Sequence, residues 1–82
     1  MNSNAEIAAQ IVKMLEEVNP GNAVNLDDSD KQIFDLGFDS LDHASLLLQI
    51  EESWAIKIPD EDVEELVTIS KLAEYVDLQR AD

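Results

Sequence analysis

Apolar positions recur along this chain at helical rather than strand spacing. Ile7, Ile11, Leu15 and Val18 fall at i, i+4, i+8 and i+11, a single stripe that predicts a helix from about Asn4 to Val18. Asn19-Pro20-Gly21-Asn22 ends it, because Pro disfavours helix in the residue before it and Gly accommodates a turn. The connection that follows runs to Gly37. It is long for bare loop, and Ser29-x-x-Gln32 ahead of Ile33 and Phe34 predicts a short helical turn inside it. Asp39 is a good N-cap for a second helix, Ser40–Trp54, and Asp42 at its N3 position adds negative charge to the positive first turn. After Ala55-Ile56-Lys57-Ile58 comes Pro59, and Asp60-Glu61-Asp62 supplies an acidic first turn for a short third helix holding Val63, Leu66 and Val67. Thr68 is placed to cap a last helix with Ile69, Leu72, Ala73 and Val76 inward, fraying after Leu78. No stretch alternates as a strand would. The expected fold is an all-α four-helix bundle with three longer helices, one short helix and a long first connection. It forms a single domain over residues 1–82, with mobile ends at about 1–4 and 79–82.

Composition narrows what such a bundle can do. Nineteen Asp and Glu stand against five Lys and Arg, a net charge of −14 on a chain that is 45% hydrophobic. The apolar share is high enough for a folded core in spite of the charge. Nucleic acid and anionic membrane surfaces would repel this chain. No apolar run approaches the ~20 residues of a membrane span, and the N-terminus lacks a basic, apolar signal peptide. Without Cys there is no disulfide framework, no thiolate metal site and no cysteine nucleophile, and a single His excludes a multi-histidine site. The acidic runs Asp27-Asp28-Ser29-Asp30 and Asp60–Glu65 lack the Gly and terminal carboxylate of a calcium loop, so no dedicated metal site is expected. The expectation is a small acidic cytoplasmic domain, monomeric, with no catalytic residue set of its own and no membrane insertion.

The second helix carries the functional signal. At about 100° per residue, His43, Leu46, Leu47, Ile50 and Trp54 gather on one side, the expected core face, while Leu41 and Leu48 land almost opposite, beside Ser45 and Glu52. Two arrangements account for that. The small bundle can wrap most of the helix, or Leu41 and Leu48 can be an exposed apolar pair rimmed by Asp42, Glu51 and Glu52, the composition of a docking surface for a basic partner. Ser40 stands at the helix start, either as an ordinary helix-start serine or as a site where a phosphate is tolerated by free N–H groups and the helix dipole. Asp39 and Asp42 oppose a free phosphate there, an objection a covalently held phosphate escapes.

Asp35-Leu36-Gly37-Phe38-Asp39-Ser40-Leu41-Asp42 resembles the attachment-site signature of acyl carrier proteins, whose core is Asp-Ser-Leu. Ile50-Glu51-Glu52-Ser53-Trp54, Ile58-Pro59-Asp60-Glu61-Asp62 and the closing Thr68–Val76 segment follow the family's order and spacing, so the resemblance covers about Ile7 to Val76. It implies that Ser40 is joined through a phosphodiester to 4′-phosphopantetheine, whose thiol carries acyl groups as thioesters. It also implies partners: a phosphopantetheinyl transferase, an acyl-loading enzyme and synthases with basic docking surfaces, meeting Asp39, Leu41, Asp42, Leu48, Glu51 and Glu52. The family shelters acyl chains in the bundle, which puts Leu46, Leu47, Ile50, Leu66 and Ile69 among candidates for the lining; ordinary core packing explains them equally well.

Four positions depart from the commonest fatty-acid-synthesis carriers: Phe38 replaces a small residue, His43 a Thr, Ala44 a Val and Ser45 a Glu. The lost acid at Ser45 points toward a dedicated pathway, polyketide or modified lipid, over general fatty acid biosynthesis. His43 has no nucleophile or second base beside it in the pattern, and is expected as a partly buried, hydrogen-bonded residue, with contact to the arm or cargo as the alternative. A carrier of aminoacyl, peptidyl or D-alanyl groups is the nearest rival, though peptidyl carriers more often have His-Ser where this chain has Asp39-Ser40. The rival from another class is an acidic helical adaptor without a prosthetic group.

Overall fold

The computed structural model describes residues 3–80 and contains four helices: α1 (Ser3–Val18), α2 (Ser40–Trp54), α3 (Asp60–Val63) and α4 (Ile69–Arg80). The α1 stripe of Ile7, Ile11 and Leu15 is buried together with Met14, and α1 packs against both α4 and α2. The inward set of α4, Ile69, Leu72, Ala73 and Val76, is buried as its spacing required. This helix does not stop at Leu78 but continues to Arg80, and α1 begins at Ser3. Of the ends expected to be mobile, Ser3, Asn4, Gln79 and Arg80 are therefore helical, while Met1, Asn2, Ala81 and Asp82 lie outside the described residues.

The long first connection is structured by two 3-10 turns, Leu26–Asp28 and Ile33–Leu36, and neither begins at Ser29. The Ser29 hydroxyl instead donates back to the Leu26 carbonyl, closing the first turn. Ser29 and Asp30 then reach across to α4: the Ser70 N–H donates to the Ser29 carbonyl at 3.0 Å and the Ser70 hydroxyl to Asp30 Oδ1 at 2.8 Å. The Ile33 N–H donates to the Val67 carbonyl at 2.8 Å, beside an isolated antiparallel bridge between Gln32 and Thr68. Nonlocal hydrogen bonds thus give this segment the backbone partners that a helix would have supplied internally.

Leu66 and Val67 lie beyond α3 rather than in it, contrary to the sequence pattern. The helix tightens after one turn: the Glu65 N–H donates to the Asp62 carbonyl, and the Leu66 N–H is shared between Asp62 and Val63 carbonyls at 3.2 Å each. Extending it would withdraw the Val67 carbonyl from Ile33, so the tertiary pairing wins over local helix preference. Thr68 caps α4 as expected, its Oγ1 accepting from the Lys71 N–H at 3.1 Å. Tyr75 on α4 ties down the segment around α3, its hydroxyl lying 3.3 Å from Asp62 Oδ2 and 3.4 Å from the Lys57 carbonyl.

Two residues adopt left-handed backbone. Gly37 (φ 100°) ends the second 3-10 turn, with its own N–H directed to Phe34 and that of Phe38 to the Ile33 carbonyl, the paired reversal of a Schellman turn. A Cβ on Gly37 would lie 2.6 Å from the Asn22 amide nitrogen. Ala55 (φ 55°) ends α2 in the same region without a glycine's freedom. Gly37→Ala should therefore cost about 1–2 kcal/mol, whereas Ala55→Gly should stabilise by about 0.5–1 kcal/mol. Urea unfolding of both variants checks the opposite signs.

Burial first, then the charge of Asp62, its hydrogen bond and the charge of Glu51 raise the Tyr75 pKa above its ordinary value of 10.0. A raised value in the folded state means that the folded protein holds this proton more tightly than the unfolded chain does. The resulting stability is complete below the ordinary value and is lost as pH climbs from there through the folded value. Unfolding midpoints measured up this alkaline range should fall more steeply for the native protein than for Tyr75→Phe. Equal slopes would remove Tyr75 as the cause.

Candidate functional site

The start of α2 is built by the residues around it. The Asp39 carboxylate accepts the Asp42 N–H at 2.9 Å, and the Asp42 carboxylate accepts the Asp39 N–H at 3.2 Å, a reciprocal capping box. The Asn19 amide also donates to Asp42 Oδ2 at 3.5 Å, tying the end of α1 to this turn. Phe38, just ahead of the cap, is 3% exposed and belongs to the main core cluster with Ile33. The sequence marked Phe38 only as unusual; its role is to pin the reversal that launches α2. Ser40 is the first residue of α2 and is solvent-exposed, and none of the described residues hydrogen-bonds its hydroxyl.

From Ser40 an open cleft of about 550 Å³ runs along α2. His43, Ala44, Leu47, Leu48 and Glu51 line one wall, and Ile58, Asp60 and Val63 the other. Its apolar middle and polar ends are usual for a small-molecule site. Of the five lining candidates, Leu47 alone borders this cleft. Leu46, Ile50, Leu66 and Ile69 are buried in the core cluster behind it. Ile58 and Val63 were not among the candidates, because the 55–63 segment is brought against α2 only by the fold, and Ala44, on α2 itself, stood out in the sequence only as a departure from the family. The Glu51 carboxylate accepts the Ile58 N–H at 2.8 Å and holds the second wall in place, a role that nothing in the sequence marks.

His43 is buried, and its Nε2 lies 2.9 Å from the Leu66 carbonyl, an acceptor that places the proton on Nε2. The Phe34 ring packs edge-on against it. The expected hydrogen-bonded, inward histidine is therefore found, in the same position where it also borders the cleft.

The opposite side of α2 resolves the two arrangements left open for its leucines. Leu41 is 78% and Leu48 59% exposed, and with the exposed Ser45 and Glu52 they form one outward stripe at i, i+4, i+7 and i+11, Leu48 lying at its boundary with the cleft, whose rim it also lines. The six residues assigned to a partner face divide accordingly. Leu41, Leu48 and Glu52 project freely, whereas Asp39, Asp42 and Glu51 are engaged in hydrogen bonds that shape the site itself. Among the described residues no group of three or more His, Asp or Glu is placed to hold a metal ion, and no helix is long and apolar enough to cross a membrane.

Comparison with known proteins agrees with this geometry. A family model for the phosphopantetheine attachment site matches residues 6–76. An acyl carrier protein of Campylobacter jejuni is 47% identical over 47 residues, 57% of this chain and 61% of that protein. The mitochondrial acyl carrier protein of Neurospora crassa is 34% identical over 68 residues, 83% of this chain and 49% of that one. The chain thus spans about three fifths of the length of the Campylobacter relatives and about half of the fungal one. The crystal structure of an acyl carrier protein from Thermotoga maritima superposes with a TM-score of 0.80 at 25% identity, covering 94% of this chain and 89% of that one. An adaptor lacking a prosthetic group does not fit a match of this extent. An exposed, unengaged serine at a capped helix start, at the end of a cleft and within this match, suits a covalently attached 4′-phosphopantetheine, and the chain belongs to the acyl carrier protein family.

Proposed function

We propose that Ser40 is the attachment residue and that the chain presents acyl groups, held as thioesters on the arm, to the enzymes of a biosynthetic pathway without catalysing a step itself. The observation that carries this reading is the Ser40 hydroxyl, exposed at the first position of α2 and opening onto the cleft. When bound, 4′-phosphopantetheine supplies the thiol that this Cys-free chain lacks. The chain's own residues provide position. The capping box fixes the helix turn from which Ser40 projects, and Asp39 already occupies the N–H of Asp42, so the arm is held by its covalent bond and not by the helix end as an anion site.

Leu41 and Leu48 are the apolar anchors for partner enzymes, and the surrounding negative charge steers basic surfaces toward them. Those partners are a phosphopantetheinyl transferase, an acyl-loading enzyme and synthases. Ser45 lies between the two leucines on the same stripe, where an acid would meet a basic partner directly. Its uncharged side chain supports service in a dedicated polyketide or modified-lipid pathway over general fatty acid synthesis.

Incubation with a phosphopantetheinyl transferase and coenzyme A should add one phosphopantetheine to the native chain and none to Ser40→Ala, read by intact mass. An equal adduct on the alanine variant would move the attachment site elsewhere. The docking face is tested separately. Leu48→Ala should cost under about 1 kcal/mol of stability and Leu46→Ala about 2–5 kcal/mol, yet the Leu48 change should be the one that slows the transferase while the fold stays intact. Glu52→Lys should slow association most at low ionic strength, whereas Glu51→Lys should also lower stability, since the Ile58 N–H loses its acceptor. If Leu48→Ala and Glu52→Lys left transfer kinetics unchanged, the outward stripe would not be the docking face.

A further inference from the structure

An apolar chain attached at Ser40 has two places out of water, the open cleft beside α2 and the packed interior behind it. His43 stands between them. It follows Ser40 by one helical turn, borders the cleft, and is 6% exposed. Its Nε2–H donates to the Leu66 carbonyl at 2.9 Å, a bond that crosses from α2 to the α3–α4 connection. On the imidazole, the Phe34 ring packs edge-on, with 5.4 Å between centroids and 73° between planes. To turn aside, the ring must give up both contacts and leave the Leu66 carbonyl without this donor. Behind it Leu46, Ile50 and Ile69 have no exposed surface and take no part in the cleft wall.

We propose, resting on the assignment of the arm to Ser40, that His43 is a specificity-determining residue that closes the path from the cleft into the core, so that this carrier holds short or polar acyl groups in the cleft and gives long alkyl chains no interior shelter. The hydrogen-bond pattern agrees with polar cargo as well. With the proton on Nε2, Nδ1 is an acceptor. Every fully buried side-chain nitrogen and oxygen among the described residues has a partner, and Nδ1 makes no such bond, so it keeps some accessible surface where a hydroxyl or amide donor can meet it. A residue such as Thr at this position would be smaller and would leave that route open, while Gln retains an N–H of similar reach.

The test uses the full chain loaded by a phosphopantetheinyl transferase with hydrolysis-resistant acetyl-, hexanoyl- and dodecanoyl-coenzyme A analogues, the Ser40 oxygen taking the phosphopantetheine arm as 3′,5′-ADP leaves. Intact mass is read first: no adduct on the native chain, or one retained by Ser40→Ala, overturns the attachment reading and the inference with it. With the adduct on Ser40, the melting temperature of the native protein should stay level from acetyl to dodecanoyl, and the methyl NMR signals of Leu46, Ile50 and Leu66 should not move. In His43→Thr the melting temperature should climb with chain length and those methyl signals should shift, whereas His43→Gln should behave as the native protein does. A native melting temperature that climbs with chain length, with moving core methyls, overturns the role of His43 while leaving Ser40 as the carrier residue. A folded His43→Thr whose melting temperature stays level also overturns the role of His43, and His43→Ala gives the same reading where His43→Thr does not fold.

Discussion

The reciprocal hydrogen bonds between Asp39 and Asp42 fix the first turn of α2, and the rest of the site depends on that turn. It sets which way Ser40 projects and, through the helical period, which residues face the cleft, the core and the solvent. The turn is itself held from two directions. Phe38 is embedded in the core just before it, and Asn19 reaches Asp42 from the end of α1. A one-residue shift of the helix start would rotate α2 by about 100°, moving Leu46 and Ile50 out of the core and Leu48 toward it. Core packing and site geometry therefore select the same start.

The acidic composition has an internal role as well as an external one. Asp28, Asp30, Asp39, Asp42, Glu51 and Asp62 each accept a hydrogen bond from backbone or side chain, and together they organise the connections of the bundle. Asp28 also pairs with Lys31 at 3.4 Å, a contact of small energetic weight because Lys31 is well exposed. A carboxylate can accept several donors at once, which suits a chain whose long first connection and α2–α3 segment place N–H groups such as those of Asn25 and Ile58 outside helical ladders. The cost is mutual repulsion under a net charge of −14.

The two sides of α2 do different work because they have different surroundings. The outward stripe leaves Leu41 and Leu48 exposed to solvent, where the proposed docking would cover them. The inward stripe is graded: near Ser40 it presents His43, a polar group with a fixed hydrogen bond, and farther along it presents Leu46 and Ile50, which are closed to solvent. Glu51 joins the two sides by holding Ile58 against the helix while remaining part of the cleft wall. The proposed attachment, docking and cargo roles thus fall on adjoining faces of one fifteen-residue helix, with Leu48 at the edge shared by cleft and outward stripe.

The sequence by itself determined what depends on near neighbours. The α1 and α4 stripes, the Asp39 and Thr68 caps and the limits of α2 follow from helical period and capping chemistry acting over a few residues, whereas the exposure of Leu41 and Leu48, one of two arrangements the period allowed, was decided by the packing. The segment around Ser40 that resembles the family's attachment signature is legible for the same reason, being contiguous. Only the tertiary structure decided the rest. The early end of α3 answers to Ile33 pairing with Val67, and His43 is positioned by Leu66, 23 residues away in the chain. The cleft wall of Ile58 and Val63 exists because the Glu51 carboxylate, an acid with no mark of a structural role in the sequence, meets the Ile58 N–H. Such contacts leave no periodic trace, since a backbone N–H or carbonyl is offered by almost every residue, and which of them meets a given side chain is set by how the helices pack.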